Sequence, residues 1–516
     1  MNISDYFQTA PALKTLFIME KIIPVKRIVL IACFCIITFS SIAQSNIQED
    51  IDQINTPSIA LAPLRFLASD ELMGRATARP EINIAARYIS EAFRSMQLKE
   101  CPNTTDYFQN FNIKMITPAT GGTFAIGNET YQTGTNVFQL NGEDINVTSP
   151  VVYIGFGSKE DFDKADIKGK IVITDFGLDD TSGFRKRLSA TPGKNKLAKE
   201  KGAIALIQRI DEHNVPWNAL KQFTSREHAV TDENEVLPSF LLNDSAGTLK
   251  TLLQNKLLNA TLTITDTQIN TVKAKNVMGY IEGTDPQLKK QFIILSAHYD
   301  HLGVAKPKME EGKLDSIYNG ARDNAIGVTA VMDAARYFAQ HPPERSVIFI
   351  AYTAEEIGEI GSKYFAAHPV IPLNQIVYNL NIDNASYNDT TIVTVVGLDR
   401  TSAGNDFKKA CAAYGLTAVP DPVPEQNLFD RSDNVNLAEK GVPAPTFSLG
   451  FTSFDSTVTN RYHQMSDEVG NFNLSYAMKY IKAFILSAKY IADEKTQPTW
   501  MKGDKYEPAW KSLFQK

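Results

Sequence analysis

Between Lys275 and Asp493, short apolar runs alternate with longer helical stretches. Phe292 to Leu295, Val347 to Tyr352, Ile376 to Ile382, Ile392 to Val396 and Pro445 to Leu449 read as strands. Asn324 to Gln340, Asp406 to Tyr414 and Ser475 to Ile491 read as helices by their three- and four-residue apolar spacing. Strands this continuously apolar need cover on both faces. The pattern therefore predicts an α/β fold with a mixed, mostly parallel sheet flanked by helices. In such sheets functional groups gather beyond the C-terminal strand ends.

Those ends carry unusual residues. Ser296-Ala297-His298-Tyr299-Asp300-His301 follows the first strand, so His298 stands at its C-terminal end with an acid two residues on. Imidazole is a good zinc donor, and a carboxylate at that spacing can orient the ring; a loop histidine bonded to a neighbouring acid is the plain alternative. Asp323, in Asn319-Gly320-Ala321-Arg322-Asp323-Asn324, occupies a helix N-cap position. Capping is its ordinary role, although both oxygens could bridge two cations. Glu355 and Glu356 end the run Ser346 to Tyr352. Adjacent ionised glutamates repel one another unless a metal takes one and leaves the other as a base; exposed acids at a helix start are the alternative. Asp383 ends a further strand, and His463 sits in a polar loop before the last helix. No single position decides between these readings. Their co-occurrence at successive strand ends points to one metal site.

The rest of the chain sets the context. A hydrophobic fraction of 43% excludes a disordered chain, and a net charge of −6 with no basic excess gives nucleic acid nothing to bind. Lys26 and Arg27, the apolar run Ile28 to Phe39 and the small residues Ser40 to Ala43 form the three parts of a secretory signal peptide. The run is shorter than the roughly 20 residues of a membrane span. Met19 offers an alternative start that gives a leader of ordinary length. The predicted destination is therefore the periplasm or the exterior, with no membrane attachment after cleavage. Cys33 and Cys35 fall in the leader, so only Cys101 and Cys411 remain, and whether they pair is open. Two cysteines cannot build a thiolate zinc site, so any metal must be held by His and carboxylates. Pro80 to Met96 reads as a helix and Tyr107 to Phe111 as a strand. From Pro118 to Asn270 short β-like runs, with a helix at Lys194 to Lys201, suggest a separate small α/β module without a His/acid cluster.

Taken in order, AHYDHLG, NGARDNAIG, TAEEIGEIGS, LNID and YHQMSDE closely resemble the zinc exopeptidase family that includes aminopeptidase Y, bacterial leucyl aminopeptidases and glutamate carboxypeptidase. Leu72-Met73-Gly74-Arg75 extends the resemblance toward the N-terminus, and GKIVIT with Gly202-Ala203-Ile204-Ala205-Leu206-Ile207 resembles an inserted protease-associated domain. The resemblance implies a zinc-dependent exopeptidase fold divided as signal peptide 1–43, N-terminal part of the peptidase 44–117, protease-associated domain 118–270, catalytic unit 271–495 and tail 496–516. It implies two Zn2+ ions bridged by Asp323, one completed by His298 and Asp383, the other by Glu356 and His463. Glu355 would be the general base, Asp300 would orient His298, and Tyr462 would steady an oxyanion. The implied substrate is a peptide cut at its N-terminus. A glutamate-releasing carboxypeptidase or a glutaminyl cyclase-like enzyme shares the metals, and an inactive scaffold shares the fold. Many relatives carry two acids in the Gly-Ala-acid-Asp segment, and here Arg322 stands in place of the first. It is expected to pair with Glu310, Glu311 or Asp315, or to meet a substrate carboxylate. Phe429-Asp430-Arg431-Ser432-Asp433 resembles a segment near the family's substrate pocket.

Overall fold

The structure, a computed structural model, describes residues 47–515 apart from 180, 182–183, 211–216, 225, 232–236, 254–257 and 311. The leader, Met19 and Glu311 lie outside the described residues.

The wholly apolar runs form the centre of a ten-stranded sheet. Phe292–His298 lies between Ser346–Tyr352 and Ile376–Ile382 and is parallel to both. Ile376–Ile382 is in turn parallel to Thr446–Leu449. The flanks supply the antiparallel part of the mixed sheet. Gln268–Ile281 runs antiparallel to Ser346–Tyr352, and Ile392–Val396 runs antiparallel to Thr446–Leu449.

Period-two alternation divides the core between two faces. Val347, Phe349 and Ala351 point into one cluster, Ile348, Ile350 and Tyr352 into another. The first face is covered by helices Ile82–Ser95, Ile326–Gln340 and Leu474–Asp493, the second by Ile360–Ala367 and Asn434–Ala438. Cys101 and Cys411 are free thiols buried in different clusters. The C-terminal segment packs down as expected: Trp500 is buried and its indole N–H donates to the Gly441 carbonyl at 3.1 Å.

The middle of the chain builds a second, eight-stranded sheet with its own core around Phe124, Ile173, Ile207, Phe240 and Leu262. Its strands Ile145–Tyr153, Ile171–Asp175, Ala205–Ile210 and Ser239–Asn243 run parallel. The chain leaves the large sheet after Phe108–Thr117 and returns in Gln268–Ile281, and these two strands pair antiparallel from Thr117↔Gln268 to Phe108↔Val277. Exit and re-entry are thus adjacent, which lets the segment extend without disturbing the large sheet. One of its strands, His228–Thr231, adds to the edge of the large sheet.

Candidate metal centre

The three central strands end at one edge. His298 closes the Phe292–His298 strand, Ser346–Tyr352 leads through Thr353 and Ala354 to Glu355 and Glu356, and Ile376–Ile382 stops one residue before Asp383. Register pairs His298 with Tyr352 and Ala297 with Ile382, so the donors emerge at one level. Asp323 comes from the π turn Ala321–Ala325, and His463 from the loop after the short helix Ser456–Thr459. Asp323 does not cap. Its backbone is extended at φ −115° and ψ 92°, and the following helix starts at Ile326 without a side-chain cap. Its carboxylate is therefore free to face the other donors. Ala354 (φ 60°) and His463 (φ 57°) hold left-handed backbone, a conformation that costs side-chain-bearing residues energy and clusters at functional sites.

The distances arrange the donors about Asp323. His298 Nε2 lies 3.2 Å from Asp323 Oδ1 and 3.4 Å from Asp383 Oδ1. His463 Nε2 lies 3.1 Å from Asp323 Oδ2 and 3.3 Å from Glu356 Oε2. Each Asp323 oxygen thus faces a different histidine, and each histidine has one further carboxylate. The ligand atoms of His298, Asp323 and Asp383 are close enough together to hold one ion, and those of His298, Glu355 and Glu356 form an overlapping group.

Charge in this buried cluster is strongly coupled. Burial opposes protonation of His298, but Glu355 and the hydrogen bonds to Asp323 and Asp383 outweigh it and raise its pKa well above the usual value. His463 rises to about 10, with burial again overcome by Asp323 and Glu356. Glu356 falls to about 2 because His301 and His463 outweigh burial and repulsion from Asp323. Glu355 behaves oppositely: burial first, then Asp383, Glu356 and Asp433, push it well above the carboxylate range against the attraction of His298. The two adjacent glutamates are thus separated in character, one held ionised and one favouring its proton. That is the division of labour that acid–base chemistry at neutral pH needs.

Supporting residues refine the expectations. The Asp300 carboxylate lies 3.8 Å from His298 Nδ1, beyond hydrogen-bond range, and it is the Asp300 carbonyl that meets Nδ1 at 3.2 Å. The carboxylate instead accepts from the backbone N–H groups of Glu355 at 3.2 Å and Glu356 at 3.3 Å and from Thr77 Oγ1 at 3.1 Å. Asp300 therefore fixes the glutamate pair as well as touching the histidine through its backbone. Arg322 does not pair with Glu310 or Asp315, nor does it face substrate. It is buried against Asp467, with Nη1 2.7 Å from Oδ1, and its guanidinium lies 4.7 Å from the Phe472 ring centroid. Asp467 also accepts the N–H groups of Arg322 and Asp323, so it supplies the capping expected of Asp323.

Two residues to which the sequence reading gave no role stand out. His301 is buried with Nδ1 2.6 Å from Glu356 Oε1. It belongs to the AHYDHLG run, where its closeness to His298 was the available signal. Arg75 is buried and donates to the carbonyls of Tyr299 at 2.9 Å, Asn319 at 2.6 Å and Gly320 at 3.1 Å, tying together the two loops that flank the site.

Tyr462 stacks on His463 with ring centroids 4.0 Å apart. Together with Asp383 it lines a pocket whose other walls include Val396, Leu428, Phe451 and Phe454. Burial, then the carboxylates of Asp323, Asp383 and Glu356, raises the Tyr462 hydroxyl, so it stays a hydrogen-bond donor at neutral pH.

Comparison with known proteins gives a family match over part of the chain and a similar fold. Residues 276–487 match Peptidase family M28. Aminopeptidase YwaD of Bacillus subtilis is 23% identical over 332 residues, which cover 63% of this chain and 63% of that protein. A vacuolar membrane protease of Schizosaccharomyces pombe is 29% identical over 191 residues, 36% of this chain. The chain spans only 20% of that protease's length, and less than two thirds of YwaD. In fold, the chain is similar to an aminopeptidase from Aneurinibacillus sp. strain AM-1, with a TM-score of 0.52 and 20% identity over 89% of this chain and 98% of that one.

Proposed function

We propose that the protein is an exported di-zinc metallo-exopeptidase that removes N-terminal residues from peptides, a reading supported by the match of residues 276–487 to Peptidase family M28. The observation that carries this reading is the Asp323 carboxylate, which turns one oxygen toward His298 and the other toward His463. The donor set fits zinc: two imidazole nitrogens and three carboxylates, with His298 and Asp323 buried and, among the described residues, no lysine or arginine in an ion pair with any of the three carboxylates. His298, Asp323 and Asp383 would hold one ion, and Asp323, Glu356 and His463 the other. When bound, such a pair supplies Lewis-acid polarisation of a carbonyl and acidifies water.

The chain's own residues do the remaining work. In its ionised form Glu355 takes a proton from the attacking water and passes it to the leaving amine. Asp300 keeps Glu355 in place by accepting its backbone N–H. The Tyr462 hydroxyl donates to the oxyanion that develops on the substrate. The inserted segment is read as a protease-associated domain, on the GKIVIT run and the strand–helix–strand pattern that follows it. Export rests on the leader: N-terminal sequencing of protein from the cell envelope or medium should begin at Gln44. Among the described residues no helix is long and apolar enough to cross a membrane.

The direct test is hydrolysis of aminoacyl-nitroanilides beside peptides ending in glutamate, with and without chelator. Chelator-sensitive release from the N-terminus is expected. Release only from the C-terminus would replace the aminopeptidase reading with a carboxypeptidase.

A further inference from the structure

The pocket beside Asp383 and Tyr462 carries a cation that the reaction as described does not use. Its sides are apolar at Val396, Leu428, Phe451 and Phe454, hydroxyls come from Ser432, Thr446 and Ser448, and Arg431 lines it as an exposed guanidinium. Solvent alone often satisfies an arginine at a pocket mouth, so the decisive question is where its neighbouring carboxylates point. Asp430, adjacent in sequence, is turned away. It is ion-paired with Lys505 and accepts the Tyr506 hydroxyl at 2.8 Å. Asp433 is buried beneath the pocket segment. Asp383, the one acid in the lining, is committed to His298. Arg431 makes only a 3.4 Å contact from Nη1 to the Gln426 carbonyl and meets no carboxylate among the described residues.

The C-terminal segment is what keeps Asp430 occupied. Lys505 and Tyr506 belong to it, and Arg400 anchors it through Asp504 at 2.7 Å. A guanidinium offers two parallel N–H donors that match a carboxylate, and partial exclusion of water by apolar walls strengthens such a pair.

We propose that Arg431 is a specificity-determining residue that selects substrates whose pocket-bound residue carries a carboxylate. This rests on the exopeptidase reading. The carboxylate has two possible sources, the side chain of an N-terminal Asp or Glu, or the α-carboxylate of a C-terminal residue. An apolar stem ending in an anion fits the lining in both cases, and a lysyl side chain is repelled.

Glutamyl- and glutaminyl-nitroanilides differ in charge but hardly in shape, so their kcat/KM ratio isolates the effect. With wild-type zinc-loaded protein the ratio should exceed roughly tenfold in favour of glutamyl. In Arg431→Gln it should fall to about one, and Arg431→Glu should favour lysyl over glutamyl substrates. If the α-carboxylate is the source, the collapse appears instead in the ratio between N-acetyl dipeptides with free and amidated C-termini. Ratios that Arg431→Gln leaves unmoved in both arms would overturn the proposal. If wild type cleaves neither substrate class, the exopeptidase reading fails, and binding still decides the inference. Free L-glutamate should then protect the wild type from thermal unfolding more than L-glutamine does, or an N-acetyl dipeptide with a free C-terminus more than its amide, with the difference lost in Arg431→Gln. Equal protection within both pairs in the wild type would overturn it.

Discussion

Both sheets end parallel strands in charged residues, but they balance the charge differently. At the edge of the large sheet, His298, His301 and His463 meet Asp300, Asp323, Glu355, Glu356 and Asp383. Of the buried arginines there, Arg75 spends its hydrogen bonds on backbone carbonyls and Arg322 is paired with Asp467. At the edge of the small sheet, Asp175 and Asp244 flank Arg209, at 2.6 Å and 3.3 Å. Tyr153 donates its hydroxyl to Asp175 at 2.5 Å, and Lys194 donates to the Asp175 carbonyl at 2.6 Å. The small cluster is closed upon itself, whereas the large one has more carboxylate charge than fixed cations can offset. The same architecture therefore yields a closed structural network in one place and an open cluster of carboxylates and histidines in the other.

Replacing single residues sharpens the contrast. Glu355→Gln should lower kcat by about 10²–10⁴-fold while zinc content stays at the wild-type value, because Glu355 is read as a proton carrier and not a ligand. Steady-state kinetics with metal analysis of the same preparation checks both halves; a proportional loss of zinc would contradict the assignment. In the small sheet the effect should fall on stability. Arg209→Met leaves Asp175 and Asp244 buried without their cation and should destabilise that unit by roughly 3–5 kcal/mol in a denaturant titration. Its nitroanilide turnover below the unfolding transition should match wild type.

The smallest effect concerns Lys194, which burial and then Arg187 push down to about 8 against the attraction of Asp175. A base whose folded pKa lies below its unfolded value of 10.5 costs the folded state most below pH 8. Stability should therefore rise between pH 8 and 10.5, by on the order of 1–3 kcal/mol. Lys194→Met should remove that rise in unfolding curves taken across the window, and an unchanged slope would show that Lys194 does not titrate there.

The parts legible in sequence were those written in short-range pattern. Apolar runs located the central strands, and the acid or histidine ending each run located His298, Glu355, Glu356 and Asp383. Asp323 was ambiguous because a capping aspartate and a bridging one look alike in sequence, and only the extended backbone separates them. Arg322 was misplaced because its partner Asp467 lies 145 residues away, on a loop that hydrophobic patterning cannot position. Arg75 was invisible for a similar reason, acting on carbonyls more than 220 residues away, and His301, although it stands beside His298, acts on a glutamate 55 residues later. The antiparallel placement of Gln268–Ile281 follows from where the inserted segment re-enters the sheet beside Phe108–Thr117, which apolar runs alone do not encode.

The central claim is that the large-sheet edge is completed by two ions shared through Asp323. Zinc stoichiometry by plasma mass spectrometry, on protein dialysed after zinc loading, tests it most directly. The account predicts two ions per chain in the wild type and a marked loss in Asp323→Asn. Near-zero zinc in the wild type, with no hydrolysis restored by added zinc or cobalt, would contradict it.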